Sequence, residues 1–115
     1  MVFIRTGRFA RRRDPVKDGL AWLYITCAKW LHTRDVAILG SDAAKDVLPS
    51  GVEGIQQPVH ELVLVAMGMP IFDNCDLEQI AKEAARRRRW DFLVTASPAA
   101  VPSATGAALN PIATF

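Results

Sequence analysis

The longest apolar run in this 115-residue chain, residues 62–72, is interrupted by Gly68 and Pro70. A membrane-spanning helix needs about 20 consecutive apolar residues, so this run is too short and too broken to cross a bilayer. A glycine and a proline this close together favour two short elements joined by a chain reversal. Residues 61–67 are apolar on every side apart from Glu61, which predicts a fully buried helix. Residues 69–73 follow as a strand.

The rest of the chain alternates between segments of strand length and segments of helical periodicity. This alternation favours an α/β layer architecture, and we expect one domain over residues 1–115. The helix that follows the apolar run should have Asp76 as its N-cap residue, with Gln79 three positions later. The predicted strands are residues 2–4, 36–39, 69–73 and 92–95, the predicted helices are 20–32, 61–67 and the segment after Asp76, and the predicted irregular connections are 8–19 and 43–58.

The composition indicates a globular protein of the soluble class. Half of the residues are apolar, 23% are charged and the net charge is +2, a profile unlike that of disordered chains. The two cysteines are too few for a disulfide scaffold, and the N-terminal residues contain no apolar signal core. We therefore expect a cytoplasmic protein with no membrane association.

Two arginine runs, residues 11–13 and 86–89, are the densest charges in the sequence. The second run falls at the end of the helix predicted after Asp76, where cations oppose the negative end of the helix dipole. That explanation covers the run without a ligand, since no recognition helix and no interleaved aromatic residues accompany it. The first run is expected to be solvated surface, with an anionic ligand left open. A nucleic-acid partner is therefore the less favoured interpretation.

His60 and Asp73 lie at the two ends of the longest apolar segment. His60 opens the predicted buried helix, where the positive end of the helix dipole favours the neutral imidazole that metals bind. Asp73 ends the predicted strand and shares one face of it with Met69 and Ile71, which are expected to point into the core. A carboxylate on that face has to be paired, hydrogen-bonded or bound to metal. A reversal at Gly68 would bring the two groups together. The alternative is a capping histidine and a hydrogen-bonded aspartate.

Asp42, Asp46 and His32 are the other ionisable residues that bear on this site. Asp42 and Asp46 follow the predicted 36–39 strand, and exposed loop carboxylates are favoured over groups that support a ligand or face a substrate. His32, the second of only two histidines, falls at the end of a helix and is expected on the surface.

Four segments resemble the C-terminal half of the cyclase family of metal-dependent hydrolases, which includes kynurenine formamidase and isatin hydrolase. They read WLHTRDVAILGSD (residues 30–42), DVLPSGVEGIQQPVH (46–60), VAMGMPIFDNCDLEQIA (65–81) and ATGAALNPIA (104–113). The resemblance extends from Val2 to the last residue. It implies the C-terminal part of a swivelling β/β/α domain with a mixed sheet and flanking helices.

The resemblance assigns His60 and Asp73 as ligands of a Zn²⁺ or Mn²⁺ ion. It also implies a substrate pocket for a linear or cyclic amide, as in tryptophan catabolism, formed by Asp42, Thr105, Gly106 and Asn110. Kynurenine formamidases have a glutamate where this chain has Asp73, and many relatives have Ser-Pro after the glycine that matches Gly106.

The family signature HxGTHxDxPxH, which supplies most metal ligands and the catalytic histidine, does not occur in these 115 residues. No catalytic residue is therefore assigned to this chain. The resemblance implies a truncated hydrolase that is inactive alone and that associates with itself or with a complementary N-terminal half. Two alternatives remain open, namely a non-catalytic interaction module that oligomerises and a weak basic nucleic-acid binder.

Overall fold

The computed structural model describes residues 1–11, 23–43, 46–47 and 49–115. Contacts divide the chain into two compact units, Met1–Glu78 and Gln79–Phe115. The predictions for residues 12–22, 44–45 and 48 lie outside the described residues. No helix in the described part of the chain is long and apolar enough to cross a membrane.

The first unit contains a three-stranded parallel sheet in the order β1-β2-β3. The strands are β1 (Val2–Ile4), β2 (Leu39–Ser41) and β3 (Ile71–Phe72). In the register, Phe3 lies opposite Gly40 and Leu39 lies opposite Ile71. The mixed α/β architecture predicted from the alternating pattern is confirmed.

β2 begins three residues later than predicted, because the residues before it still form the backbone hydrogen bonds that end the preceding helix. Helix α2 (Cys27–Thr33) ends with the N–H of Val36 donating to the carbonyl of Leu31 at 3.2 Å. Asp35 adopts the left-handed conformation that this helix ending requires (φ 49°). Ala28 and Leu31 are buried on α2 as its inward face.

Two further helical predictions for the N-terminal half need correction. Residues 8–11 were expected to be irregular but form the short helix α1 (Arg8–Arg11). Trp30 is one of the apolar residues whose three- and four-residue spacing predicts the 20–32 helix as amphipathic, with this residue on its inward side. It is exposed, and the guanidinium of Arg34 lies 5.3 Å from the centroid of its ring.

The segment predicted as one fully buried helix is a single α-helical turn, α3 (Pro58–His60), followed by a π-helix (Glu61–Ala66). Only Val63 of the π-helix is buried, whereas Val65 is 82% exposed and Leu62 and Leu64 are also exposed. The prediction of full burial was therefore wrong. A helix that packs against the core on one side buries only that side, whatever its composition.

The core of the first unit lies between the sheet and these helices. Val63 contributes the only core side chain of the π-helix among the described residues, and Met69 follows directly after the reversal. The buried cluster comprises Ala28, Leu31, Leu39, Val59, Val63 and Met69.

Helix α4 (Glu78–Arg87) begins at the last residue of the first unit, where the side chain of Asp76 accepts the N–H of Glu78 at 3.0 Å. The predicted capping role of Asp76 is thereby confirmed. In the second unit, β4 (Leu93–Thr95) pairs antiparallel with β5 (Ile112–Thr114). β4 was predicted. β5 was missed, because it is three residues long in a tail rich in alanine, glycine and proline.

Candidate functional site

The candidate site lies at the carboxyl ends of the parallel strands of the first unit. Thr6, Asp42 and Asp73 follow β1, β2 and β3 respectively. In parallel α/β sheets this edge is where ligands bind, since the loops that leave the strands form a crevice there. A cavity of about 240 Å³ opens at this edge, lined by Ile4, Thr6, Leu23, Leu39, Ser41, Ala43, Asp46, Val59, His60, Ile71 and Asp73.

Asp46 anchors the start of α3 from a distant loop. One carboxylate oxygen accepts the N–H of Val59 at 2.8 Å, and the other accepts the N–H of His60 at 3.4 Å. Pro58, at the first helical positions, has no N–H to satisfy. Asp46 therefore satisfies the free donors at this helix start, as a capping residue would. It is 3% exposed, so its expected position on an exposed loop was wrong.

Asp46 also fixes the imidazole ring of His60. The carboxylate oxygen Oδ2 of Asp46 lies 2.9 Å from Nδ1 of His60, and Nε2 of the same ring lies 3.0 Å from Oδ2 of Asp73. The convergence of His60 and Asp73 predicted from the sequence is confirmed. Gly68 makes it possible, because the reversal there uses a left-handed conformation (φ 61°) that favours glycine.

The two carboxylates change the expected protonation state of His60. The hydrogen bond with Asp73 raises its pKa, partial burial opposes this, and the hydrogen bond with Asp46 raises it again, to about 9. Without a metal the ring is an imidazolium at neutral pH. The neutral imidazole expected from the helix dipole was wrong, since two adjacent carboxylates outweigh one helix end.

The exposed loop position favoured for Asp42 from the sequence was wrong. Asp42 is fully buried, and its carboxylate accepts hydrogen bonds from the backbone N–H groups of Thr6, Gly7 and Arg8 and from the Thr6 hydroxyl, at 2.8 to 3.0 Å. Burial raises the pKa of Asp42, but the hydrogen bonds from Thr6, Arg8 and Gly7 outweigh it and hold the pKa below its ordinary value. The side chain holds the β1–α1 connection and presents no exposed oxygen to a substrate.

Nε2 of His60 and Oδ2 of Asp73 are candidate donor atoms for one divalent cation. Tetrahedral metal–nitrogen and metal–oxygen bonds of about 2.0–2.2 Å place two donors roughly 3.3–3.6 Å apart. The two atoms are 3.0 Å apart in their hydrogen bond, so a small separation would let them share an ion. Within residues 1–11, 23–43, 46–47 and 49–115, no group of three or more histidine, cysteine or acidic side chains could hold a metal ion.

The remaining residues singled out from the sequence are exposed. His32 is exposed at the end of α2, as predicted. Thr105, Gly106 and Asn110 are exposed residues of the second unit, and their membership of a substrate pocket stays a prediction.

The sequence predicted that His60 and Asp73 meet, but it did not predict that Asp46 holds the imidazole of His60. Asp46 contacts His60 at a sequence separation of 14 residues, and no periodicity marks such a contact. The one signal in its favour is Pro58, because a helix that starts with proline still needs a carboxylate or hydroxyl for its next N–H groups.

Comparison with family models, with curated proteins and with solved structures finds no match for this chain.

Proposed function

We propose that this chain is the C-terminal part of a metal-dependent amide hydrolase of the cyclase type, in which His60 and Asp73 bind a Zn²⁺ or Mn²⁺ ion. One observation carries the proposal. The buried Asp46 holds Nδ1 of His60 at 2.9 Å and so directs Nε2 toward Asp73 at the cavity.

This arrangement matches what metal-binding histidines require. The nitrogen that faces away from the metal usually donates to a carboxylate, which fixes the tautomer and makes the other nitrogen a better ligand. Asp46 supplies that carboxylate, and it is itself held by the N–H of Val59. Asp46 is therefore a positioning residue, and Nε2 of His60 with Oδ2 of Asp73 are the donor atoms.

The cavity suits an amide with an apolar body. Ile4, Leu23, Leu39 and Ile71 line it, while His60 and Asp73 lie on its polar side. When bound, a divalent cation polarises the amide carbonyl and lowers the pKa of water. N-formylkynurenine and isatin represent the linear and cyclic substrates of this class.

Two donors are fewer than the three protein ligands typical of catalytic zinc sites. We propose that the remaining ligands come from a complementary N-terminal half or from a second copy, within the swivelling β/β/α fold that the resemblance implies. The chain alone then binds metal weakly and does not hydrolyse amides.

Calorimetric titration of the metal-free chain with ZnCl₂ and MnCl₂ tests the ligand assignment. We expect weak binding that His60→Ala abolishes and Asp73→Asn reduces, while Asp46→Asn lowers the affinity about 10–100-fold. His32→Ala is the matched control, because it removes the other histidine and should leave binding unchanged. Equal loss in both histidine variants, or no binding to the wild-type chain, would contradict the proposal.

A non-catalytic interaction module is the second candidate, and the exposed side of the π-helix favours it. Leu62, Leu64 and Val65 present aliphatic side chains to solvent directly after His60. In this function the chain assembles with a second copy through that surface, without metal. Size-exclusion chromatography with light scattering, with and without chelator, should then show an oligomer that Val65→Lys dissociates.

A further inference from the structure

The arginine run at residues 86–89 is divided by the end of helix α4. The helix ends at Arg87, so only Arg86 and Arg87 lie in its last turn. The N–H of Arg88 donates to the carbonyl of Ala85 at 3.2 Å, and the N–H of Arg89 donates to that of Ala84 at 3.0 Å. These two bonds close the helix in the Schellman manner. The helix dipole therefore accounts for half of the run, not for all of it.

Arg88 occupies a backbone position at which glycine is the usual residue. Its φ of 52° is left-handed, and such a conformation is unfavourable for any residue that carries a Cβ atom. Strained backbone of this kind is concentrated at functional sites. The position favours glycine for stability, so the arginine adds a cation there at some cost in stability, as Asp35 adds a carboxylate at the end of α2.

The charge of the arginine run is only partly balanced within its own unit. Residues 79–115 contain five basic and two acidic residues. Glu83 pairs with both Arg86 and Arg87, and Asp91 pairs with Arg89. Among the described residues, no side chain forms a hydrogen bond or an ion pair with the guanidinium of Arg88. Four guanidinium groups thus share two carboxylates on an exposed surface.

An aromatic residue follows these guanidinium groups directly in the sequence. It is Trp90, which is 70% exposed. This exposure could not be predicted, since a tryptophan between a helix and a strand is usually buried. An exposed indole next to arginines is the combination with which proteins stack a base and bind the adjoining phosphates.

We propose that residues 86–90 form a binding site for single-stranded nucleic acid, with Trp90 stacking on a base and the arginines contacting the phosphates. Guanidinium groups suit phosphate oxygens, because their planar donors can bind two oxygens at once. A single strand is favoured over a duplex, since a base has to be unpaired to stack on Trp90. An anionic membrane is less favoured, because one indole among guanidinium groups is not the continuous apolar face of a membrane-surface helix.

Fluorescence anisotropy with a labelled 12-nucleotide oligo(dT) tests the proposal. We expect the wild-type chain to bind at low salt, with log K falling linearly with log[salt] by about 0.7 per phosphate contacted. Trp90→Ala should weaken binding by roughly tenfold and leave the salt slope unchanged, because it removes stacking and no charge.

Arg88→Gly distinguishes a loss of oligo(dT) binding from a loss of folding, because it should weaken the binding and stabilise the fold. It should raise the melting temperature by roughly 2–5 °C, because glycine relieves the left-handed strain. It should also weaken oligo(dT) binding several-fold and reduce the salt slope by about 0.7. Asp35→Gly is the matched control, since it relieves the same strain at the end of α2 without removing a cation. It should raise stability and leave oligo(dT) binding no weaker.

The proposal is overturned if the wild-type chain does not bind oligo(dT) at low salt. It is also overturned if Arg88→Gly and Trp90→Ala bind as tightly as the wild type, or if the chain binds phosphatidylserine vesicles and not oligo(dT). None of these outcomes bears on the metal ligands His60 and Asp73, because the variants and the probe leave them unchanged.

Discussion

At the scale of single residues, His60 has its position and its charge set by two carboxylates on opposite sides of its ring. Asp46 is buried and satisfies backbone N–H groups as well as Nδ1, while Asp73 is partly exposed and lines the cavity. The two aspartates therefore differ in what they do. Loss of Asp46 should damage the fold and the site together, whereas loss of Asp73 should affect mainly the site.

Asp46→Asn tests this division of roles. The amide keeps one acceptor oxygen and turns an NH₂ group toward donors, so at least one buried N–H loses its partner. We expect the free energy of unfolding to fall by about 2–4 kcal/mol at pH 7, since hydrogen bonds to buried charged groups are worth about 1.5–3 kcal/mol each. Urea unfolding measures it. Asp91→Asn, at an exposed carboxylate, is the control, and an equal effect in the two variants would contradict the assignment.

Asp42 gives the chain a stability that depends on pH. Its pKa is lowered in the folded chain and close to 3.9 when the chain is unfolded. The unfolded state therefore takes up the proton first as the pH falls. The stabilisation is complete above about pH 4 and is lost as the pH falls through the lower folded value. The difference in unfolding free energy between wild type and Asp42→Asn should be larger at pH 7 than at pH 2.5, and a constant difference would contradict this.

At the scale of elements, the π-helix shows how composition can mislead. Residues 61–67 are almost wholly apolar, yet one side of the helix packs against the core and the other side is exposed to solvent. The apolar composition of a segment shows which side chains could be buried. The number of elements that pack against the segment determines which of them are buried.

Two substitutions in the π-helix distinguish one-sided burial from the full burial predicted from the sequence. Val63→Ala should lower the unfolding free energy by roughly 1.5–3 kcal/mol, because it removes buried methyl groups and leaves a cavity. Val65→Ala should change it by less than about 0.5 kcal/mol, since that side chain is 82% exposed. Similar losses from both, measured by urea unfolding, would show that the helix is buried all round.

The pairing of β1 with β2 depends on the absence of a side chain at Gly40. A Cβ there would collide with the ring of Phe3, which lies opposite in the register. Gly40→Ala should therefore destabilise the fold by about 1–3 kcal/mol, the usual cost of overpacking. Gly106→Ala is the control, because nothing lies within 4 Å of its added Cβ. Equal melting temperatures for the two variants would argue against this register.

At the scale of the whole molecule, features that depend on short stretches of sequence could be predicted better than features that depend on contacts between distant residues. The alternation of strands and helices, β1, β4 and the cap at Asp76 could be predicted from short stretches of sequence. So could the meeting of His60 and Asp73, since one glycine joins their two elements. The burial of Asp42 and Asp46 could not be predicted, because each is satisfied by N–H groups that only the folded chain brings near. β5 could not be predicted either, because it is three residues long in a tail rich in alanine, glycine and proline, and only its pairing with β4 defines it.

The central claim is that His60 is held through Nδ1 and offers Nε2 to a metal together with Asp73. Nitrogen-15 NMR of the imidazole rings tests it most directly, since the chain has only two histidines. Without metal, we expect His60 to be protonated on both nitrogens at pH 7, in keeping with a pKa of about 9. On addition of Zn²⁺, Nε2 should lose its proton and shift while Nδ1 keeps its own, and His32 should not change. If Nε2 of His60 is unaffected by Zn²⁺, or if both histidines respond alike, the metal site does not exist in this chain.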